Sequence, residues 1–389
     1  MIQILPNDRV NATFDRTKYF NEDAAGIIRL YHKTLPGYCA TPLRELKGLA
    51  ANFELNKIWL KDESSRFGLK AFKVLGASYA VAKLFSEMLG IRESQLSFSL
   101  FQNPEIKNKL KDITLVTATD GNHGRGVAWT SQQFGCKCVV YMPRGTTQSR
   151  FNNIKSHGAE VHIIDGNYDQ AVLLAKTNSA KFGWILVQDS SWEGYEKIPL
   201  WIMQGYLTMM DEISEQLGGE IPTHVFVQCG VGSLPAAVLA YYINKQKNNT
   251  PVFAVVEPED AACVYESFHS QKLATLKNEI QTIMAGLACG TPSLLAWQIM
   301  KDYADFFIKC TDETAIKGMQ ILGRREFCDT KIISGESGAV TTGLIYFLLY
   351  DSKFKTDAVK IGLNEKSKIL LISTEGDTDP EMYNRILDQ

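Results

Sequence analysis

From about residue 113 the chain alternates short β-rich runs with helical patterns: ITLVTAT, GNHGRGVAWTSQQFG, CKCVVYMP, TTQSRFNNIKSHG, AEVHIID, YDQAVLLAKTNSAKFG and WILVQD, in that order. Consecutive strands separated by a helix cannot pair as hairpins, so the order demands parallel strands joined by crossovers. Three of the helical patterns are predicted to stop at Gly135, Gly158 and Gly183, because glycine takes the left-handed conformation of a helix end without steric cost. The alternation resumes with THVFVQ, CGVGSLPAAVLAYYINK and PVFAVVEPE, after the helical stretch LWIMQGYLTMMDEISEQLG. The sequence therefore predicts an α/β protein of two lobes, each an open twisted, mostly parallel sheet flanked by helices. At 389 residues, 45% of them hydrophobic, it can bury a core of that size. No repeat or low-complexity linker marks the boundary, which is expected near residue 200.

Charge and composition exclude several function classes. A formal net charge of -2 provides no field to gather nucleic acid or anionic lipid. The start, MIQILPNDRV, lacks the basic and long apolar regions of a signal peptide, and the apolar run from Leu344 to Tyr350 is too short to span a bilayer. A cytoplasmic protein is expected. Eight cysteines are too sparse for a disulfide scaffold. Cys136 and Cys138 fall within one apolar run and read as core residues, whereas pairing of Cys263 with Cys289 stays open. The six histidines show no ligand spacing, so no metal site is expected.

Open parallel sheets bind ligands beyond the carboxyl ends of their strands. Three such ends stand out: TATDGNHG (117–124), QDSSWEGYE (188–196) and QCGVGSLPAAV (228–238). In the third, a glycine-rich turn into a helix frees backbone N–H groups next to the positive end of the helix dipole, which makes a phosphate cup. Glu257, after the next strand, would suit a ribose hydroxyl in a nicotinamide-binding oxidoreductase, but Pro235 stands where that fingerprint needs its third glycine. Upstream, the strand IWLKDE leads through a polar turn to a helical pattern whose apolar face carries Leu69, Phe72, Leu75 and Tyr79. Lys73 lies off that face, and its small neighbours Gly76, Ala77 and Ala80 are read as room for a flat cofactor.

A Schiff-base amine, a phosphate cup and a polar turn for a phenolic oxygen are the anchors pyridoxal 5'-phosphate needs. Phe72-Lys73-Val-Leu-Gly resembles the S-F-K-x-R-G box of the fold-type II, tryptophan-synthase-β-like pyridoxal-phosphate enzymes. Asp120-Gly-Asn122-His-Gly124 resembles their asparagine loop, and Gly230-Val231-Gly232-Ser233-Leu234 their phosphate loop. Ser334-Gly-Glu336-Ser-Gly-Ala339 resembles their E-x-[SA]-G-A turn, and Leu371-Ile-Ser373-Thr374-Glu-Gly-Asp377 their L-S-G-x-G-D segment. The resemblance runs over nearly the whole chain. It implies a large cofactor-binding domain of residues 1–75 and 201–389, a small domain of residues 76–200 with the asparagine loop, and a homodimer. It further implies that Lys73 carries the cofactor, Asn122 bonds its phenolic oxygen, the glycine loop and Ser233 hold its phosphate, Glu336 belongs to the cofactor site, and Ser373 or Thr374 faces the ring nitrogen.

Departures from the common pattern narrow the activity. Dehydratases of this fold carry serine or threonine where this chain has Asp120, and Leu75 replaces the usual arginine. FGLKAFKVLG, VQDSSWEGYEKIP, MAGLACG and STEGDTDP resemble the ammonia-lyase branch of the family. That branch implies α,β-elimination of 2,3-diaminopropionate, by way of aminoacrylate, to pyruvate and two ammonia. A serine or threonine dehydratase is the alternative, and an oxidoreductase stands behind it. Asp120 and Asp189, each just after a strand, fit a diamino acid because a desolvated ammonium requires a counter-charge. By the same resemblance Lys73 is the base for the L-isomer and Asp120 for the D-isomer; His123 is expected to be structural.

Overall fold

The computed structural model describes residues 2–8, 17–246 and 249–389. Among the described residues eleven strands form two sheets: β1 (Ile2–Pro6), β2 (Leu43–Glu45), β3 (Lys57–Asp62), β4 (Thr114–Ala118), β5 (Lys137–Met142), β6 (Glu160–Ile163), β7 (Ile185–Leu186), β8 (His224–Gln228), β9 (Val252–Pro258), β10 (Phe306–Cys310) and β11 (Lys368–Ser373). The smaller sheet, ordered β6-β5-β4-β7, is parallel throughout. The larger, ordered β1-β10-β9-β8-β11-β3-β2, has five parallel central strands and an antiparallel strand at each edge. Successive side chains of a strand point to opposite faces, and here both faces are covered. Val225, Val227, Phe253 and Val255 enter one core, and Phe226, Ala254, Val256 and Ile369 enter the core on the other side.

Helices end where glycine allows it in two of the three predicted places. Gly135 (φ 74°) and Gly183 (φ 68°) cap Asn122–Phe134 and Tyr168–Phe182. The helix Gln148–Lys155 stops earlier, at Ser156, and Gly158 (φ 80°) instead ends the next turn. WILVQD pairs over Ile185–Leu186 alone. One further bond, from Val187 N to Val116 O (2.9 Å), holds the chain before Gln188 and Asp189 leave the sheet edge. All eight cysteines are free thiols; Cys138 is buried in β5, while Cys136 precedes it and is half-buried. Among the described residues no helix is long and apolar enough to cross a membrane, and no group of acidic, histidine and cysteine side chains could hold a metal.

The expected boundaries after residues 75 and 200 fall inside two helices, Lys73–Leu89 and Lys197–Gly205, which cross in direct backbone contact. A Cβ on Gly205 would lie 2.4 Å from Leu75 O, and one on Gly76 2.7 Å from the side chains of Ile202 and Tyr206. Gly76 thus serves helix packing rather than room for a cofactor, which corrects the sequence reading; Ala77 and Ala80 are likewise buried in the core. Because backbone atoms cannot yield as a flexible side chain does, Gly205→Ala is expected to cost about 1–3 kcal/mol, measurable by chemical denaturation.

Candidate active site

Lys73 is the first residue of its helix, and the segment before it is tightly held. Phe72 N donates to Thr374 O (3.2 Å), and Gly376 N to Lys70 O (2.9 Å), so residues 70–72 are tied to the chain leaving β11. The preceding turn places Phe67 and Lys70 at positive φ (50° and 58°). Arg66 locks that turn from within: fully buried, it pairs with Glu63 (2.8 Å) and Glu212 (2.7 Å), and Glu212 also pairs with buried Lys61 (2.7 Å).

Around the Lys73 amine stand two carboxylates of opposite character. Asp189, just off the sheet edge, takes Lys73 Nζ at 2.5 Å on Oδ2 and is almost wholly buried. Burial alone raises its pKa, but His123 and Lys73 outweigh that and hold the carboxyl down at about 2, so it is ionised throughout the working range. The ammonium of Lys73 is disfavoured by burial, yet Asp189 overrides it and raises the lysine above its ordinary value. Asp120 lines the same cleft after β4. Its burial dominates over Arg150 and Lys73, and pushes the carboxyl up to about 6. His123 donates from Nε2 to Val187 O (2.8 Å), since a carbonyl can only accept, and burial lowers its pKa below the ordinary histidine value. It fastens the loop after β4 to the edge after β7, consistent with a structural part.

The glycine loop forms the floor of the cleft. Gly230, Val231, Gly232, Ser233 and Leu234 all line it, at the start of the helix Ser233–Lys245. Gly232 requires glycine twice over: φ is 101°, and a Cβ would lie 2.5 Å from the Met300 methyl. Three buried polar atoms of cleft residues accept or donate no hydrogen bond within the protein, namely Ser337 Oγ, Gln228 Oε1 and His123 Nδ1, the last 3.9 Å from Asp189 Oδ2. A lysine amine, a helix N-terminus behind a glycine turn, and orphaned polar atoms on the wall fit a phosphorylated polar cofactor.

Lys73, Asp120, Asn122 and Asp189 thus meet at one cleft with the glycine loop. Ser373 does not reach it: as the last residue of β11 it points to the opposite face from Thr374, and its hydroxyl donates to Ser334 Oγ (2.7 Å). Thr374 does line the cleft, and its Oγ1 accepts from Gln228 Nε2 (2.9 Å). Glu336 opens the helix Glu336–Tyr350, buried behind the wall, while its neighbour Ser337 forms the wall. Burial, then the charge of Glu375, push Glu336 up to about 7. Sequence reasoning missed Gln228, Tyr168, Cys289 and Glu375. Gln228 closes a legible strand, and Cys289 and Glu375 sit in the stretches MAGLACG and STEGDTDP, so position was the available signal; the fold alone brings Tyr168 in. Glu257 cannot serve a ribose: both its oxygens cap the helix Cys263–His269, accepting from Val264 N (2.8 Å) and Tyr265 N (2.7 Å). That removes the oxidoreductase reading.

The fold and this cleft define a two-lobed pyridoxal-phosphate enzyme, and residues 34–359 match the family model described as pyridoxal-phosphate dependent enzyme. The chain belongs to that family, and its cofactor is pyridoxal 5'-phosphate. It is 47% identical to the diaminopropionate ammonia-lyase of Salmonella typhimurium, over 92% of this chain and 90% of that protein. Crystal structures of the Escherichia coli diaminopropionate ammonia-lyase superpose throughout. The complex with an aminoacrylate-PLP azomethine reaction intermediate has a TM-score of 0.91 at 42% identity, covering 100% of this chain and 97% of that one. The complex with D-serine has a TM-score of 0.92 at 42% identity and the same coverage.

Proposed function

We propose that this protein is an ammonia-lyase that acts on both enantiomers of 2,3-diaminopropionate, yielding pyruvate and two ammonia molecules. One observation carries the reading: Lys73 lies in a cleft with a permanently ionised carboxylate, Asp189, and a second carboxyl, Asp120, poised near neutrality. The similarity to the two bacterial ammonia-lyases supports it.

When bound, the cofactor supplies an electron sink for the charge left at Cα. The chain supplies the rest. The backbone N–H groups of the glycine loop, that of Ser233 included, would hold the phosphate, while the Ser233 hydroxyl donates to Asp189 O (2.6 Å), and the amide of Asn122 would donate to the phenolic oxygen. Thr374, whose oxygen already accepts from Gln228, has its own proton free to donate to the ring nitrogen. A hydroxyl donor there would leave the nitrogen unprotonated and the sink mild, which suits β-elimination. Once Lys73 is committed to the cofactor, Asp189 is a buried carboxylate short of a cation, and the β-ammonium of the substrate replaces it. The hydroxyl of serine cannot. The Lys73 amine, when not linked to the cofactor, would be the base for the L-isomer. Asp120 takes the Cα proton of the D-isomer, and a carboxyl near 6 is matched to that task. The family resemblance further supports a cytoplasmic homodimer, which sedimentation velocity checks at the level of assembly.

The deciding assay measures pyruvate and ammonia from D- and L-diaminopropionate, serine and threonine. Two ammonia per pyruvate are expected from both diamino enantiomers, with kcat/KM on the hydroxy amino acids lower by about a hundredfold or more. Equal efficiency on serine would make the protein a dehydratase instead.

A further inference from the structure

Glu375 joins three parts of the site. Its backbone bridges Ala71, two residues before Lys73, and its carbonyl accepts from Gly335 N (3.0 Å). Its side chain is buried: Oε1 accepts from Ser337 N (3.1 Å), at the start of the helix Glu336–Tyr350, and Oε2 accepts from the Asn122 amide, Nδ2. Asn122 belongs to the segment carrying the smaller sheet, whereas Glu375 comes after β11 of the larger one. The bond therefore crosses between the two sheet systems, at the residue assigned above to the phenolic oxygen of the cofactor.

An asparagine amide can be turned either way, with oxygen and nitrogen exchanged, at little steric cost. A carboxylate only accepts. Facing Glu375 Oε2, Asn122 must present its NH2 group, and that group has two hydrogens. One is spent on Glu375, and the other is left to donate into the cleft. We infer that Glu375 is a positioning residue: it fixes the orientation of the Asn122 amide, so that an N–H rather than a carbonyl oxygen meets the phenolic oxygen of pyridoxal phosphate. The inference rests on the proposed role of Asn122 and is independent of which amino acid is consumed.

The test is a double-variant cycle on the holoenzyme, reading cofactor affinity by dialysis against falling pyridoxal phosphate and the visible absorption maximum. Glu375→Gln keeps the size of the side chain but offers either end of an amide, so Asn122 is no longer held one way. Asn122→Ala and Glu375→Gln are each expected to weaken cofactor binding by about tenfold and to move the absorption maximum in the same direction. The double variant is expected to stay near tenfold rather than reach the product of the two. A full multiplicative loss would mean that Glu375 acts by its charge and independently of Asn122, which overturns the inference. So would an unchanged absorption maximum in Glu375→Gln beside a shifted one in Asn122→Ala. If Asn122→Ala itself leaves the maximum unmoved, the assignment of Asn122 fails and takes the inference with it.

Discussion

Replacing Lys73 by alanine is expected to lower turnover of both diaminopropionate enantiomers by about 10⁴-fold or more, because one amine carries the cofactor and serves as a base. Borohydride, which fixes a lysine-linked cofactor covalently, is expected to leave no label on the variant. In the cofactor-free protein the alanine also removes the cation from Asp189, a carboxylate about 4% exposed, and breaking a buried pair costs roughly 3–5 kcal/mol. Lys73→Arg separates the two effects. It keeps a charge opposite Asp189 but cannot form the linkage, so it is expected to be as inactive as the alanine variant with a melting temperature close to the parent. An arginine variant that retains measurable elimination would remove Lys73 from the chemistry.

Asp120→Asn is expected to split the enantiomers. Activity on D-diaminopropionate should fall by about 10²–10⁴-fold, the range for loss of a positioned base, while L-diaminopropionate falls far less because Lys73 serves it from the amine side. The pH dependence gives an independent reading. A base works deprotonated, and burial raises this carboxyl to about 6. In the parent, kcat/KM for the D-isomer should therefore climb as pH rises through about 6 and level off above it. In Asp120→Asn the D-limb should vanish. Equal losses on both isomers, with the limb intact, would assign Asp120 to binding alone.

Much of the site was legible because chemistry and chain order coincide in it. Lys73, Asp120, Asn122, Asp189 and the glycine loop each succeed or flank a strand whose pattern is visible, and the carboxyl edge of a parallel sheet gathers the residues that leave its strands. The residues that escaped share a common cause. Glu375, Gln228 and Tyr168 are polar residues next to recognisable features, and only packing from distant segments gives them a role. The choice of Thr374 over Ser373 depends on the face to which the last residue of β11 points, which a stretch of adjacent hydroxyls cannot reveal. Gly76 was misread for the same reason: its partner across the helix crossing, Gly205, is far away in sequence.

The α/β alternation, the parallel sheets and the residue types at their ends follow from the order of residues, since periodicity, helix-ending glycines and crossover order are local properties. How those ends are used depends on packing between segments distant in the chain, which is the work of the folded structure. It drew β1, β2, β3 and β11 from both termini into one sheet with β8 to β10, so that residues 70–72, just before Lys73, lie against residues 374–376 some three hundred positions away. It also gave the two aspartates opposite proton affinities. Both are carboxyls after a strand, Asp189 buried and Asp120 half-buried, but one pairs with the lysine and the other does not, and in a low-dielectric cleft that contact sets the charge of each.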